Sequence, residues 1–125
     1  MAGRRAGRRT ALFLLYQWDV TGQPLTSLYE GEVDVFAREL AEAVAARAPE
    51  LDEAITAAAE DWTADRLGAI ERNVLRIGTL ELETGSVPAE VAINEAVELA
   101  KRYATEDAAR LVNGILGRIA RERVS

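Results

Sequence analysis

ADRLGAIERNVLRIGTLELET, residues 64–84, is the stretch of this 125-residue chain that decides its fold. Its apolar and small residues recur at intervals of three and four positions, which is the spacing of an α-helix. They are Leu67, Ile70, Val74, Leu75, Ile77, Gly78 and Leu82. Because these positions cover more than one helix face, we expect the helix to be contacted on several sides. We therefore predict a central helix from Ala64 to Thr84.

Helical spacing continues on both sides of this stretch, and no segment shows the alternation of a strand. Further helices are predicted at about Gly3–Val20, Val33–Ala48, Pro49–Trp62 and Ala89–Ala104, with a last helix capped by Thr105. The loops are too short to separate independent domains. The predicted fold class is all-α: a single domain over residues 1–125, a compact bundle of six or seven helices. It forms either one orthogonal bundle or two small helical sub-bundles joined by the central helix.

The charge of the chain is divided between its ends and its middle. Residues 1–9 and 110–125 hold eight of the 15 Lys and Arg and one of the 21 Asp and Glu, a net charge of +7. The rest of the chain has a net charge of −13, so the overall value of −6 conceals two signs. The basic ends are expected to attract phosphate, and the acidic middle to favour a basic protein.

Four arginines open the first predicted helix: Arg4, Arg5, Arg8 and Arg9. In a helix they form like-charge pairs four residues apart, next to the positive end of the helix dipole, and both effects oppose folding. An anionic partner would explain their presence. The alternative is a solvated tail.

An aromatic residue follows these arginines at helical spacing. Arg5, Arg9, Leu12 and Tyr16 share one stripe, so guanidinium groups and a tyrosine ring could meet the same ligand. Guanidinium binds phosphate and an aromatic ring stacks an unpaired base, which together favour single-stranded RNA. Packing in the core is the alternative for Tyr16.

The basic C-terminal end supplies a second group of candidates. Arg118 and Arg121 join the RNA surface only if the first and last helices lie side by side, and compensation of the helix dipole is the alternative. Gly117 is expected either at a close helix contact or where a ligand backbone approaches.

Two further helices carry polar residues at unexpected positions. Glu81 falls where the helical period would place an apolar residue. It is expected either to pair with Arg or Lys of the same chain or to bind a basic partner protein. Asn94 is expected to be a buried amide that binds neighbouring backbone. Glu95 and Glu98, followed by Lys101 and Arg102, are expected to form ion pairs along one helix face.

The composition excludes several kinds of chemistry. The chain has no Cys and no His, which removes thiolate and imidazole catalysis and nearly every zinc site. Its paired carboxylates are sequence neighbours on different helix faces, and it has no phosphate-binding loop. We therefore expect a binding module with no catalytic residue, no metal and no cofactor. No apolar run approaches a membrane span and no signal peptide is evident, so a cytoplasmic location is expected.

Several motifs, in order and spacing, resemble the NusB family of transcription antitermination factors. The resemblance covers about Gly3 to Ile119. After the Arg-rich start, the motifs are ALFLLYQWD at 11–19, ERNVLRI at 71–77 with EL at 81–82, VP at 87–88, VAINEAVELAK at 91–101 and VNGIL at 112–116. The last two are the most specific.

This resemblance implies a function and two surfaces. It implies two helical sub-bundles and a non-enzymatic role in antitermination on ribosomal RNA operons. The expected partners are boxA RNA, the ribosomal protein NusE and the RNA polymerase elongation complex with other Nus factors, and a homodimer that hides the RNA surface also occurs in the family. The implied RNA-binding residues are Arg4, Arg5, Arg8, Arg9 and Tyr16, with Gly117, Arg118 and Arg121 beside them. The implied partner-binding residues are Glu81, Arg76 and Leu80.

Three positions depart from the pattern of the family. Gly117 replaces a polar or acidic residue, which leaves that RNA contact to backbone or to Arg118. Leu80 and Leu111 replace aromatic residues and alter packing or the edge of the partner surface. The alternative functions are a helical protein–protein adaptor and an accessory domain like those attached to ribosomal RNA methyltransferases, although we expect this chain to lack a catalytic domain.

Overall fold

Six α-helices form the part of the protein that the computed structural model describes, residues 3–60 and 64–124. They are α1 Arg4–Thr21, α2 Val35–Ala46, α3 Ala48–Ala58, α4 Ala69–Thr84, α5 Ala89–Tyr103 and α6 Glu106–Val124. Two short 3₁₀ turns, Leu25–Ser27 and Ala64–Arg66, lie between them. Every regular element within these ranges is helical, which confirms the all-α prediction.

Local sequence explains where the helices begin and end. Gly22 and Gly85 follow α1 and α4 with φ of 75° and 65°, the left-handed conformation that ends helices at glycine. Thr105 precedes α6, and its hydroxyl accepts a hydrogen bond of 2.9 Å from the backbone N–H of Ala108. This confirms the predicted cap. Pro88 precedes α5, where its missing N–H costs no helical hydrogen bond.

Two predicted boundaries are wrong. The central helix begins at Ala69 rather than Ala64, because Gly68 is extended and forms the N-cap after the 3₁₀ turn. The third helix ends at Ala58. Glu60 then adopts a positive φ of 59°, which a continuing helix does not allow. The predicted core residue Trp62 lies outside the described residues.

The central position predicted for the fourth helix is confirmed. Every residue from Asn73 to Leu82 of α4 is buried. The helix is in contact with all five other helices, α1, α2, α3, α5 and α6. It joins two sub-bundles, one in which α1 packs on α2 and one in which α5 packs on α6.

Candidate nucleic-acid interface

The four N-terminal arginines differ in their surroundings although they share one helix. Arg4 and Arg5 are exposed, Arg9 is half-buried, and Arg8 is only 4% exposed. Phe36 of α2 lies beside them, 5.2 Å from the guanidinium of Arg4 and 5.7 Å from that of Arg8. Gly7 permits this approach, because a Cβ there would lie 2.5 Å from the Phe36 ring.

Arg8 is paired with Glu81 in the interior. Its Nε donates to both carboxylate oxygens of Glu81, at 3.0 and 3.2 Å, and its Nη2 donates to one of them at 2.8 Å. Glu81 is 3% exposed. The pair joins the start of α1 to the end of α4. Breaking it would leave an uncompensated charge in the interior, which is strongly destabilising.

This pair corrects the division into two separate surfaces. Arg8 was expected at the RNA surface and Glu81 at the partner surface, but each is the other's ligand. Of the two alternatives for Glu81, the pair within the same chain is the one observed. A substitution at either residue therefore disturbs both sides of the molecule. Whether either residue takes part in binding stays a prediction.

Glu95 on α5 holds two of the arginines at the edge of this pair. The Arg5 guanidinium donates to both oxygens of Glu95, at 3.2 and 2.9 Å, and Nη1 of Arg8 lies 3.6 Å away. The hydrogen bond from Arg5 holds the pKa of Glu95 below its usual value, and the same bond raises the pKa of Arg5. The predicted pairing of Glu95 along its own helix is wrong, because Arg5 comes within reach only in the folded chain.

The other two predicted partner-binding residues are also buried. Leu80 is part of the core, and Arg76 is 6% exposed. Arg76 donates to both oxygens of Asp52 on α3, at 2.8 and 2.7 Å, and to Asp19 on α1 at 3.1 Å. Their side chains support α4 from within. A direct contact of either one with a partner stays a prediction.

Asp19 collects three donors at the end of α1, an arrangement that the sequence analysis missed. Its Oδ2 accepts from Arg72 at 2.8 Å, from Asn73 at 2.9 Å and from Arg76. Asn73 is fully buried and also donates to the Ala69 carbonyl. The available signal was an amide and two arginines at helical spacing on α4, opposite an acidic residue at the end of α1.

The predicted role of Asn94 as a buried amide is wrong. Asn94 is exposed on α5, and Asn73 fills that role instead. Both asparagines interrupt good helix formers, so helix propensity alone does not distinguish them. Asn73 is buried because α4 is in contact with the five other helices, whereas Asn94 lies on a face of α5 that is exposed to solvent.

A depression of about 270 Å³ lies between the start of α1 and the end of α5. Five cations line it, against two carboxylates. The lining residues are Arg5, Arg8, Arg9, Glu95, Glu98, Leu99, Lys101, Arg102 and Tyr103. The two cations beside the N-terminal arginines, Lys101 and Arg102, come from α5. The sequence predicts only ion pairs along that helix.

One aromatic side chain, Tyr103, lines this depression. Phe13 and Tyr103 meet edge to face with ring centroids 5.0 Å apart, and the guanidinium of Arg102 lies 5.6 Å from the Tyr103 ring. Tyr16 is 40% exposed, on the same open face of α1 as Phe13. The predicted continuous stripe through Leu12 is wrong, since Leu12 is fully buried between the exposed positions.

The C-terminal arginines occupy a different place. Arg118 pairs with Glu60 and Glu122, and it lines a second depression with Arg121. Gly117 is half-buried on α6, next to the Arg121 side chain. The helices on which α6 mainly packs are α3, α4 and α5, so in the described part of the chain α1 and α6 do not pack side by side along their length. Contacts of these three residues with RNA stay predictions.

Comparison with known protein sequences gives a consistent result. The profile of the NusB family matches residues 5–121. The transcription antitermination protein NusB of Salinispora tropica is 40% identical over 131 residues, covering 96% of this chain and 96% of that protein. The NusB of Solibacter usitatus is 37% identical over 133 residues, covering 98% of this chain and 91% of that protein.

Solved structures agree with the sequences. T. maritima NusB superposes with a TM-score of 0.85 at 34% identity, covering 97% of this chain and 92% of that one. A crystal structure of the antitermination factors NusB and NusE in complex with dsRNA superposes with a TM-score of 0.83 at 31% identity, covering 95% and 96%. In the described residues, none of the helices has the length and apolar character needed to span a membrane.

Proposed function

The chain belongs to the NusB family, and from that premise we propose that this non-enzymatic antitermination factor binds boxA-type RNA of ribosomal RNA operon transcripts together with NusE. The observation that supports RNA binding best is the depression between α1 and α5, where cations and aromatic rings adjoin. Cations neutralise phosphates and rings stack bases, so this combination suits a single strand. The relative solved with NusE and dsRNA supports both kinds of partner.

Three buried residues of α4 contribute to this function indirectly, by holding neighbouring helices in place. We propose that Arg76, Leu80 and Glu81 hold α1 and α3 against α4 and so shape the surface that NusE meets. Binding to the RNA polymerase elongation complex with other Nus factors follows from the family, as does a cytoplasmic location, since bacterial transcription takes place there. A homodimer that covers the RNA surface is the competing state, and its population can be measured by sedimentation.

Salt dependence tests whether RNA is the ligand. With about four to six phosphate contacts and a single-strand slope of about −0.7 per contact, affinity for a boxA-like strand is expected to fall roughly a hundredfold between 50 and 200 mM salt. The measurement is a fluorescence-anisotropy titration at several salt concentrations, with and without NusE.

Three further strands serve as controls in this titration. A scrambled strand is expected to bind more weakly, and equal affinity would reduce the site to a non-specific basic surface. A duplex is included because the related complex contains dsRNA, and tighter binding to the duplex would contradict the single-strand proposal. A nearly flat salt response would favour the alternative function, an adaptor for an acidic protein surface.

Tyr16 tests the aromatic part of the surface. Tyr16→Leu is expected to weaken RNA binding about fivefold or more, because a stacked base contributes about 1–3 kcal/mol. Binding to NusE should not change. Val20→Ala is the matched control, since Val20 is 58% exposed one turn further along α1. Equal affinities of the two variants would place Tyr16 outside the RNA surface.

A further inference from the structure

Three cations of the depression between α1 and α5 are available to an outside anion. They are Arg9, Lys101 and Arg102. Within the described part of the chain, no salt bridge joins any of them to a carboxylate. By contrast, Arg8 is bound to Glu81, and Arg5 to Glu95. Two of these three unpaired cations, Lys101 and Arg102, therefore lie on α5, where the sequence predicts only ion pairs along the helix, and the third, Arg9, lies on α1.

The carboxylates of the depression do not cancel this charge. Glu95 is already engaged by Arg5 at 2.9 Å and is largely covered. Glu98 is exposed and is the remaining acidic residue of the lining. Among the groups that line the depression, positive charge prevails, so an anion is attracted and a cation is repelled.

Tyr103 provides a fixed aromatic surface at the same place. The ring is half-buried, Phe13 contacts it from one side, and the guanidinium of Arg102 lies over it at 5.6 Å. Aromatic rings and guanidinium planes both stack on unpaired bases. The volume of about 270 Å³ is near the lower end of small-molecule pockets. A single nucleotide fits this scale, whereas a duplex does not.

We propose that the depression between α1 and α5 is a nucleotide-binding pocket for single-stranded RNA. In it, Arg9 and Lys101 bind a phosphate, and Tyr103 with Arg102 stacks one base. This inference rests on the proposed RNA-binding function and extends it, because it assigns individual phosphate and base contacts to Lys101, Arg102 and Tyr103 at the end of α5.

The phosphate contact is tested by a pair of variants with the same change in charge. Lys101→Gln removes a cation of the pocket, and Arg38→Gln removes an exposed cation of α2 that lines neither depression. Loss of one phosphate contact makes the salt slope shallower by about 0.7. If variant and wild type bind equally at 1 M salt, the variant then binds about eightfold more weakly than wild type at 50 mM salt. We expect this change for Lys101→Gln and the wild-type slope for Arg38→Gln. Equal slopes in the two variants would overturn the assignment.

The base contact is tested by combining a protein variant with altered RNA. Single abasic positions are introduced one at a time along the bound strand, and each strand is titrated against wild type and Tyr103→Leu. If one base stacks on Tyr103, its removal weakens wild-type binding about fivefold or more but has little further effect in the variant. Additive losses at every position would overturn the base contact. The circular dichroism spectrum and thermal midpoint of each variant show whether it is folded.

The outcomes separate this inference from the proposed function. If wild type binds RNA with a steep salt slope while Lys101→Gln and Tyr103→Leu behave like the control, the pocket is wrong and RNA binding stands. If wild type binds none of the strands, with or without NusE, the proposed function and the pocket fail together.

Discussion

Glu81→Lys is expected to lower the free energy of unfolding by about 3–5 kcal/mol, the usual cost of breaking a buried ion pair by changing one partner. The new ammonium group would face Arg8, which is 4% exposed and has Glu81 as its principal acceptor. For a protein of this size such a loss is a large fraction of the total stability. Urea denaturation followed by far-UV circular dichroism measures it.

A matched control and a reciprocal variant make this result specific. Glu83→Lys changes the same charge two residues along α4, where Glu83 pairs with the half-exposed Arg47 at 2.7 Å, so a loss of about 1 kcal/mol or less is expected. Combining Glu81→Lys with Arg8→Glu restores opposite charges and should recover part of the loss. A Glu81→Lys protein as stable as the Glu83→Lys control would show that Arg8 and Glu81 are not paired in the interior.

The same variant bears on the two surfaces. Because Glu81 holds Arg8 at the start of α1, Glu81→Lys is expected to reduce both RNA and NusE binding. If Glu81 instead contacted only a partner protein, the variant would lose NusE binding and keep RNA binding. A variant that is folded, binds RNA like wild type and has lost NusE would contradict the coupling and support a partner surface at Glu81 itself.

Asp19→Asn is expected to lower the free energy of unfolding by about 1.5–3 kcal/mol, the range for a hydrogen bond to a charged group. The substitution keeps the size of the side chain but removes the charge that Arg72, Asn73 and Arg76 share. Arg76 keeps Asp52, and Arg72 keeps two backbone carbonyls, so the loss is expected to be smaller than for Glu81→Lys. Asp107→Asn, at an exposed position, is the matched control and should change stability little.

The pH dependence of the free energy of unfolding tests the same carboxylate, Asp19. Burial by itself would raise the pKa of Asp19, but the hydrogen bonds from Arg72 and Asn73 and the charges of Arg72 and Arg76 outweigh it and lower the pKa. A group whose pKa is lower in the folded than in the unfolded chain stabilises the fold above the unfolded value, about 3.9 for Asp. That contribution is lost as the pH falls through the lower folded value.

The pH dependence can be measured with the same proteins. Between neutral pH and about pH 4 the difference between wild type and Asp19→Asn should be constant, and below pH 4 it should shrink as Asp19 is protonated in wild type. Asp107→Asn should follow the wild-type curve throughout. A constant difference down to the lowest pH at which the protein folds would show that the pKa of Asp19 is not lowered.

These two predictions test ion pairs that join α1 to α4, one at each end of α1. Arg8 near its start binds the end of α4, and Asp19 near its end binds the beginning of α4, so the two helices run antiparallel and are joined by ion pairs at both ends. The exposed face of α1 between them carries Phe13 and Tyr16. The ion pairs therefore hold the proposed RNA surface in a fixed position relative to the core.

Local pattern was sufficient for the helices and insufficient for the site. Leu67, Val74 and Ile77 lie at helical spacing and are buried, because an apolar stripe has only one favourable place in a folded chain. The third helix was predicted too long, since Glu60 adopts a left-handed conformation that no local signal predicts. Arg5 and Arg8 are both arginines at the start of one helix, yet one is exposed and the other buried.

The amino-acid sequence by itself determined the all-α class, the central helix, the segregation of charge and, through its motifs, the family. These properties follow from hydrophobic periodicity, composition and motifs, all of which can be read from short segments of the chain. Only the tertiary structure decided which charges are neutralised, because Glu81 lies 73 residues from Arg8 and Glu95 lies 90 from Arg5. An ion pair depends on a distance of about 3 Å that packing sets, and so the unpaired cations of α5 could be identified only in the folded protein.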